Sequence, residues 1–289
     1  MAGLREIQGQ IRSVKNTAKL TNAMKMVASV KLGKLEQKTK EGSQYHDAFE
    51  GLFKRIMNIV GEIDHPLSKD PKGGKHLFVL ITGDKGFCGA YNSNVLKLLG
   101  ERVSALKLEK DDYAVYSIGK KGRSLALFRG VSLLEDYTEN LSSDLPDEDM
   151  KEILGKLTDG YISGDWREVE ILYTKYVNQS KYIASSSTLL PFKIEESDEK
   201  EDIGSWIFEP SPEIIAKMLV PVAVRGMVFR ALQESLTCEQ AARMIAMENA
   251  TSNSEDMIKS LTLEFNKARQ AAITTEMLEI VSGAEALKE

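Results

Sequence analysis

The 289-residue chain has only two cysteines, Cys88 and Cys238, and three histidines, His46, His65 and His76. Two cysteines make neither a disulfide framework nor a zinc site, and they fit a reducing compartment. The histidines are too few and too scattered for a histidine metal cluster. No apolar run approaches the roughly 18 residues that a membrane-crossing helix needs. The first residues, MAGLREIQGQIRSVK, carry charge but lack the apolar core of a signal peptide. Proline is absent from the first 60 residues and again from 222 to 281. Stretches without proline leave room for long helices.

What is present is a soluble composition, 42% hydrophobic and 28% charged, enough for one or two domains with a sizeable core. The net charge of −5 is unevenly spread. Residues 1–40 hold nine basic side chains against Glu6 and Glu36, a local charge of +7, which leaves −12 for the remainder. A basic helix is either a solvated face or a surface that meets an acidic partner, nucleic acid or a membrane.

The chain divides into three segments: an N-terminal helix over 1–60, a central α/β domain over 61–210 and a C-terminal helix over 211–289. In the first, Leu4, Ile7, Ile11, Val14, Ala18, Thr21, Lys25, Ala28, Leu32 and Leu35 recur in alternating steps of three and four. This is a heptad seam and predicts a coiled coil. A single helix over the whole segment would be about 85 Å long. In the last segment Met244, Met247, Thr251, Ser254, Ile258, Leu261, Phe265, Ala268, Ala272 and Thr275 form a second seam, with a phase slip near 236–240. Pro221 is expected to kink or restart this helix. The chain runs up one helix and back down the other, so the coil is antiparallel, and the heptad period predicts a left-handed supercoil. With Leu4 near Thr275, the last 14 residues would overhang as a single helix. Met277, Leu278, Ile280, Val281 and Leu287 make that tip too apolar to stand in water without a sleeve from another protein.

The middle segment alternates. HLFVLIT, YAVYSI, VSLL, VEILYTKY and STLLPF read as strands, and 93–102, 120–128 and 147–162 as helices. The pattern predicts a Rossmann-like α/β domain with a largely parallel sheet. EESDEKED, 195–202, reads as an acidic surface loop.

Between the first strand and helix lies GDKGFCG, in the place where phosphate-binding loops occur. It lacks the Gly-Lys-Ser/Thr of a P-loop, and Gly83, Gly86 and Gly89 do not have dinucleotide-fingerprint spacing. Asp84 would repel a phosphate. A strand-to-helix turn is the better reading. Cys88 has no histidine beside it in sequence and reads as a packed core thiol. Lys25 interrupts a seam, either as a register-setting polar residue or as a charge for an acidic partner. Arg269-Gln270, beside the second seam, is open in the same way. Two function classes remain: an enzyme whose coil merely dimerises, and a mechanical subunit whose coil is the working part. The first requires a catalytic or phosphate motif, and none is found.

Three stretches resemble one family. IRSVKNTAKLTNAMKMVASVKL resembles the N-terminal signature of the γ subunits of F-type ATP synthases, and ITGDKGFCGAYNSNV resembles their central glycine loop. The stretch from ESLTCEQAARMIAMENATSNSEDMIKS to EMLEIVSGAEAL resembles their C-terminal signature. The resemblance covers the start, middle and end of the chain.

It implies a rotor shaft without a catalytic site, cofactor or metal of its own. The coil would stand inside a ring of three α and three β subunits. The α/β domain would sit with ε on the c-ring, on the cytoplasmic face of a bacterial inner membrane as a peripheral subunit. One charge crossing 100 mV yields about 2.3 kcal/mol, so several crossings must be summed and carried by something stiff to each ATP site. An asymmetric shaft can bias a site only through contacts that differ between that site's states. By motif position, Met24, Lys25, Arg243, Arg269, Gln270, Thr274, Glu276 and Glu279 are the expected α/β contacts, and the apolar tip would turn in a bearing. Gly9 and Gln10 stand where the family often has basic residues. The redox-regulated form of the family has an inserted cysteine pair; here the two cysteines lie 150 positions apart, which gives no basis for thiol control.

Overall fold

The computed structural model describes residues 2–61, 63–71, 73–131, 133–134, 147–193 and 208–286. In chain order the elements are α1 (Ala2–Val60), a 3-10 turn at Pro66–Ser68, β1 (Lys75–Ile81), α2 (Tyr91–Ala105), β2 (Tyr113–Ile118), α3 (Lys120–Phe128), α4 (Asp147–Ser163), β3 (Trp166–Asn178), β4 (Lys181–Leu190) and α5 (Pro212–Ala286). They pack as two compact units, Met1–Ser29 with Arg243–Glu289, and Val30–Ala242. The unit boundaries cut through both long helices, whereas the three sequence segments were divided near helix ends.

The larger unit is built on a four-stranded sheet of order β2-β1-β3-β4. β1 pairs in parallel with β2 and β3, and β4 runs antiparallel to β3. Six of the seven β1 residues are buried, as expected of a central parallel strand covered on both faces. Its side chains alternate. Leu77, Val79 and Ile81 join a core with Met150, Ile153 and Leu157 of α4 and Val220, Val224 and Val228 of α5. Phe78 and Leu80 face the other way, onto Val95 and Leu99 of α2. The helical contributors fall at steps of three and four, one stripe per helix.

Several expectations change in detail. VSLL forms no strand among its described residues; Leu133 makes only an isolated bridge to Val115. The strand expected at STLLPF begins earlier, at Lys181, and ends at Leu190, before Pro191. Pro221 neither ends nor restarts α5, which runs through it as one helix. Val220 and Val224, buried on either side, hold the helix against the core across the missing N–H. The acidic stretch 195–202 lies outside the described residues.

The smaller unit is a pair of antiparallel helical stretches. Thr21 Oγ1 lies 2.7 Å from Thr251 Oγ1, and Lys25 Nζ lies 3.0 Å from Glu248 Oε1. The seam residues assigned to α1 in this unit are all buried or half-buried. On α5 the seam holds from Met244 to Ala272, but Thr275 is exposed. One step back along α1 is matched by one step forward along α5. The Thr21–Thr251 pairing therefore places Leu4 beside about residue 268, not Thr275 as expected.

Candidate functional site

Three regions were candidates: the glycine loop, the coil with its tip, and any buried cluster of titratable groups.

The glycine loop turns inward. Gly83 N–H donates to Asn92 Oδ1 at 2.9 Å, and Asn92 Nδ2 lies 3.2 Å from Cys88 Sγ. Lys120 N–H donates to Asp84 Oδ1 at 3.0 Å, Lys121 N–H to the Gly83 carbonyl and Gly122 N–H to Thr82 Oγ1. These amides, which a phosphate would need, serve the turn itself. A Cβ on Gly83 would lie 2.7 Å from the Glu239 carboxyl carbon, so a carboxylate packs directly on the loop. Gly119, at φ 104°, is required because a Cβ there would meet the Thr82 carbonyl oxygen at 2.1 Å. Asp84 thus fixes the start of α3. The arrangement is a structural turn.

The cysteines are closer than their spacing in sequence implied. Cys88 and Cys238 lie in one buried cluster with Tyr91 and Ala242. Burial pushes the Cys238 thiol far up, with the Glu234 charge acting in the same direction, so it stays protonated and a poor nucleophile. Cys238 Sγ donates to the Thr174 carbonyl.

A second polar cluster was not anticipated. His76 Nε2 lies 3.2 Å from Glu170 Oε2, and His76 Nδ1 lies 3.6 Å from Glu168 Oε2. Arg102 of α2 grips Glu170 through Nε at 2.6 Å and Nη2 at 3.1 Å. Burial pushes the Glu170 carboxyl up, but hydrogen bonds from His76, Arg102 and Ser186 outweigh it and hold the group below its ordinary value. The ligand atoms of His76, Glu168 and Glu170 lie within 4.8 Å of one another. The Arg102 guanidinium already occupies both Glu170 oxygens, so the arrangement is an ion-pair network, not a cation cradle. The signal in sequence was faint: a lone histidine at the start of a strand and a glutamate inside an apolar one.

The expected contact residues are distributed as follows. Met24 and Lys25 are half-buried, and Lys25 is paired with Glu248 across the coil. Arg243 is buried to 8% exposure, which leaves little of it on the surface. Arg269, Gln270, Thr274, Glu276 and Glu279 are exposed, and the Thr274 hydroxyl donates to the Gln270 carbonyl. Met277, Leu278, Ile280 and Val281 are exposed to between 57% and 66%, within an unbroken run of exposed positions from 273 to 284. Leu287 lies outside the described residues. Leu20, Met26 and Val27 on α1, with Met257 and Leu263 on α5, are also large, apolar and exposed. The heptad count attends only to the seam and gives no signal for Leu20, Val27 or Leu263, and a methionine such as Met26 or Met257 reads from sequence as core filler, which their exposure corrects. Among the described residues, no helix is long and apolar enough to cross a membrane.

A family model described as ATP synthase matches residues 3–287. The ATP synthase gamma chain of Moorella thermoacetica is 39% identical over 289 residues, covering all of both chains. That of Bdellovibrio bacteriovorus is 37% identical, again over the full length of both. Among solved structures, a chain from the rotor of the Euglena gracilis mitochondrial ATP synthase matches with a TM-score of 0.70 at 19% identity. That match covers 94% of this chain and 99% of the other, and is a likeness of fold. With a mixed sheet, two long helices and no catalytic constellation among the described residues, the chain belongs to the ATP synthase gamma-chain family, the non-catalytic stalk subunits of that enzyme.

Proposed function

We propose that this chain is the central rotor shaft that couples ion-driven rotation of the c-ring to ATP synthesis and hydrolysis at the β-subunit sites of an α3β3 ring. The observation that carries this is the end of α5. Past the last seam contact, positions 273–284 are all exposed, with five large apolar side chains among them. A bare helix of that composition is a liability in water and a bearing inside a sleeve. Leu287 extends the same apolar pattern.

The α/β contacts fall on Met24, Lys25, Arg243, Arg269, Gln270, Thr274, Glu276 and Glu279. The structure qualifies two of them. Lys25 must exchange Glu248 for an acidic partner group, or share it, and Arg243 must act mainly from within. Leu20, Met26 and Val27 join the contact face. The larger unit stands on the c-ring with ε, so membrane association is indirect. The complex then lies at the cytoplasmic face of the bacterial inner membrane.

The test is co-expression with α and β, followed by ATP-driven rotation of a probe on the sheet domain. A 3:3:1 complex that rotates is the expected result. A chain that fails to associate, or an ATPase complex whose probe stays still, overturns the reading.

A further inference from the structure

The pairing of β3 changes along its length. Residues Val169 to Leu172 are flanked by β1 on one side and β4 on the other. Beyond that point the β3–β4 ladder continues to Asn178, while β1 has ended. The free edge of this arm faces α5 instead of another strand. Thr174 N–H donates to Ser235 Oγ at 3.2 Å, and Tyr176 N–H to Glu234 Oε2 at 3.3 Å. The Thr174 carbonyl accepts from Cys238 Sγ at 3.4 Å. Amides two residues apart share one strand edge, and positions 234, 235 and 238 share one helix face. Side chains of α5 thus take the place of the missing strand.

The same arm reaches α1. The Tyr176 hydroxyl donates to Glu36, and Gln179 Nε2 donates to the other Glu36 oxygen at 3.3 Å. Next to the arm, Tyr91 at the start of α2 bonds the same Ser235, and Glu239 packs on Gly83. Thr39 and Thr237 join the two helices directly at 3.1 Å. Accordingly α5 is buried all round from 231 to 242, apart from half-buried Gln233 and Gln240. No α5 residue is exposed from 231 to 247, and on either side of that run each turn shows at least one exposed residue.

We infer that the β3–β4 arm and the glycine loop form a clamp on α5, in which Tyr176 ties the sheet to both long helices and makes the joint torsionally stiff. The inference rests on the rotor reading and adds where torque passes from sheet to shaft. A helix packed on one face can roll about its axis. One held over one face by the arm and the loop together, and from another direction by α1 through Thr237, cannot. Tyr176 is a positioning residue here. Its amide and its hydroxyl act on different helices, so removing the hydroxyl loosens α1 and leaves the α5 contacts in place.

The experiment uses the assembled α3β3γ complex, immobilised through the ring, with a rod fixed to the sheet domain. The angular variance of the rod at a catalytic pause reports torsional compliance. Tyr176→Phe removes one of the two side chains that hold Glu36 and about halves that link. The variance is therefore expected to rise by up to about twofold, with complex yield unchanged. Glu36→Gln should act in the same direction. Tyr161→Phe is the control, because it removes an equally partly buried tyrosine hydroxyl bond, to the Lys69 carbonyl, away from the arm. An unchanged variance in Tyr176→Phe overturns the clamp, as does an equal rise in Tyr161→Phe. Should Tyr176→Phe fail to assemble, Gln179→Ala is read in the same way. A wild-type rod that never rotates with ATP overturns the rotor reading instead.

Discussion

The two units bury their apolar residues by different means. In Val30–Ala242, the sheet is covered on both faces, and Phe78, Val79, Leu80, Val95 and Ile153 have no exposure at all. In the helical pair, Leu4, Ile7, Ile11 and Val14 are only half-buried, because each helix has a single neighbour. One unit therefore draws its stability from packing density, whereas the other trades density for surface. The exposed apolar side chains of the pair are what a partner can use.

This contrast can be broken or sharpened by mutation, beginning with the largest expected effect. Phe78→Ala empties the centre of the α2-side core and should cost about 3–5 kcal/mol. Thermal or urea unfolding of the chain would show it, and a loss below 1 kcal/mol would mean that the sheet domain is not where stability lies.

Glu170→Gln should cost about 3 kcal/mol, since it leaves Arg102 and His76 facing a neutral group. Its pH dependence has a definite sign. The Glu170 pKa is lowered in the folded chain from an ordinary 4.5. Its stabilisation is therefore present above that value and is lost as the pH falls below it, through the folded pKa. Wild type should lose its advantage over the variant on acidification, and parallel pH profiles would contradict the network.

In the helical pair the effects shrink. Ile11→Ala removes a half-buried side chain and should cost about 1 kcal/mol. Lys25→Leu should change stability by no more than about 1 kcal/mol, since the pair with Glu248 is largely exposed. Its signature should instead be altered coupling in the assembled complex, and loss of assembly would assign Lys25 to complex formation. Deleting residues 273–289 should leave the melting temperature of the isolated chain nearly unchanged, because positions 273–284 are all exposed. ATP-driven rotation should weaken. A drop in melting temperature would show that the tip packs on its own chain.

Much of this was legible in advance where a local pattern has one physical meaning. Every position of the first seam is buried or half-buried, because a step of three and four on a helix can only mark one face. The helix at Lys120–Phe128 was read to the residue, since Gly119 and the arginine-glycine pair that follows punctuate it. What failed was register. Thr275 was expected beside Leu4, and the contacts instead point to Ala268, one heptad away. A heptad pattern laid on another fits equally well after a slip of seven residues, so the seam alone cannot choose.

By itself the sequence determined the long helices, the alternating sheet domain, the absence of a P-loop and, through three signature stretches, the family. These depend on spacing within short windows of the chain. Only the tertiary structure decided which distant residues meet: Lys25 with Glu248, Cys88 in one cluster with Cys238, Arg102 and His76 on Glu170, and the β3 arm on α5. Each of these joins positions far apart in the chain, and each depends on three-dimensional register, which no periodicity in one dimension encodes.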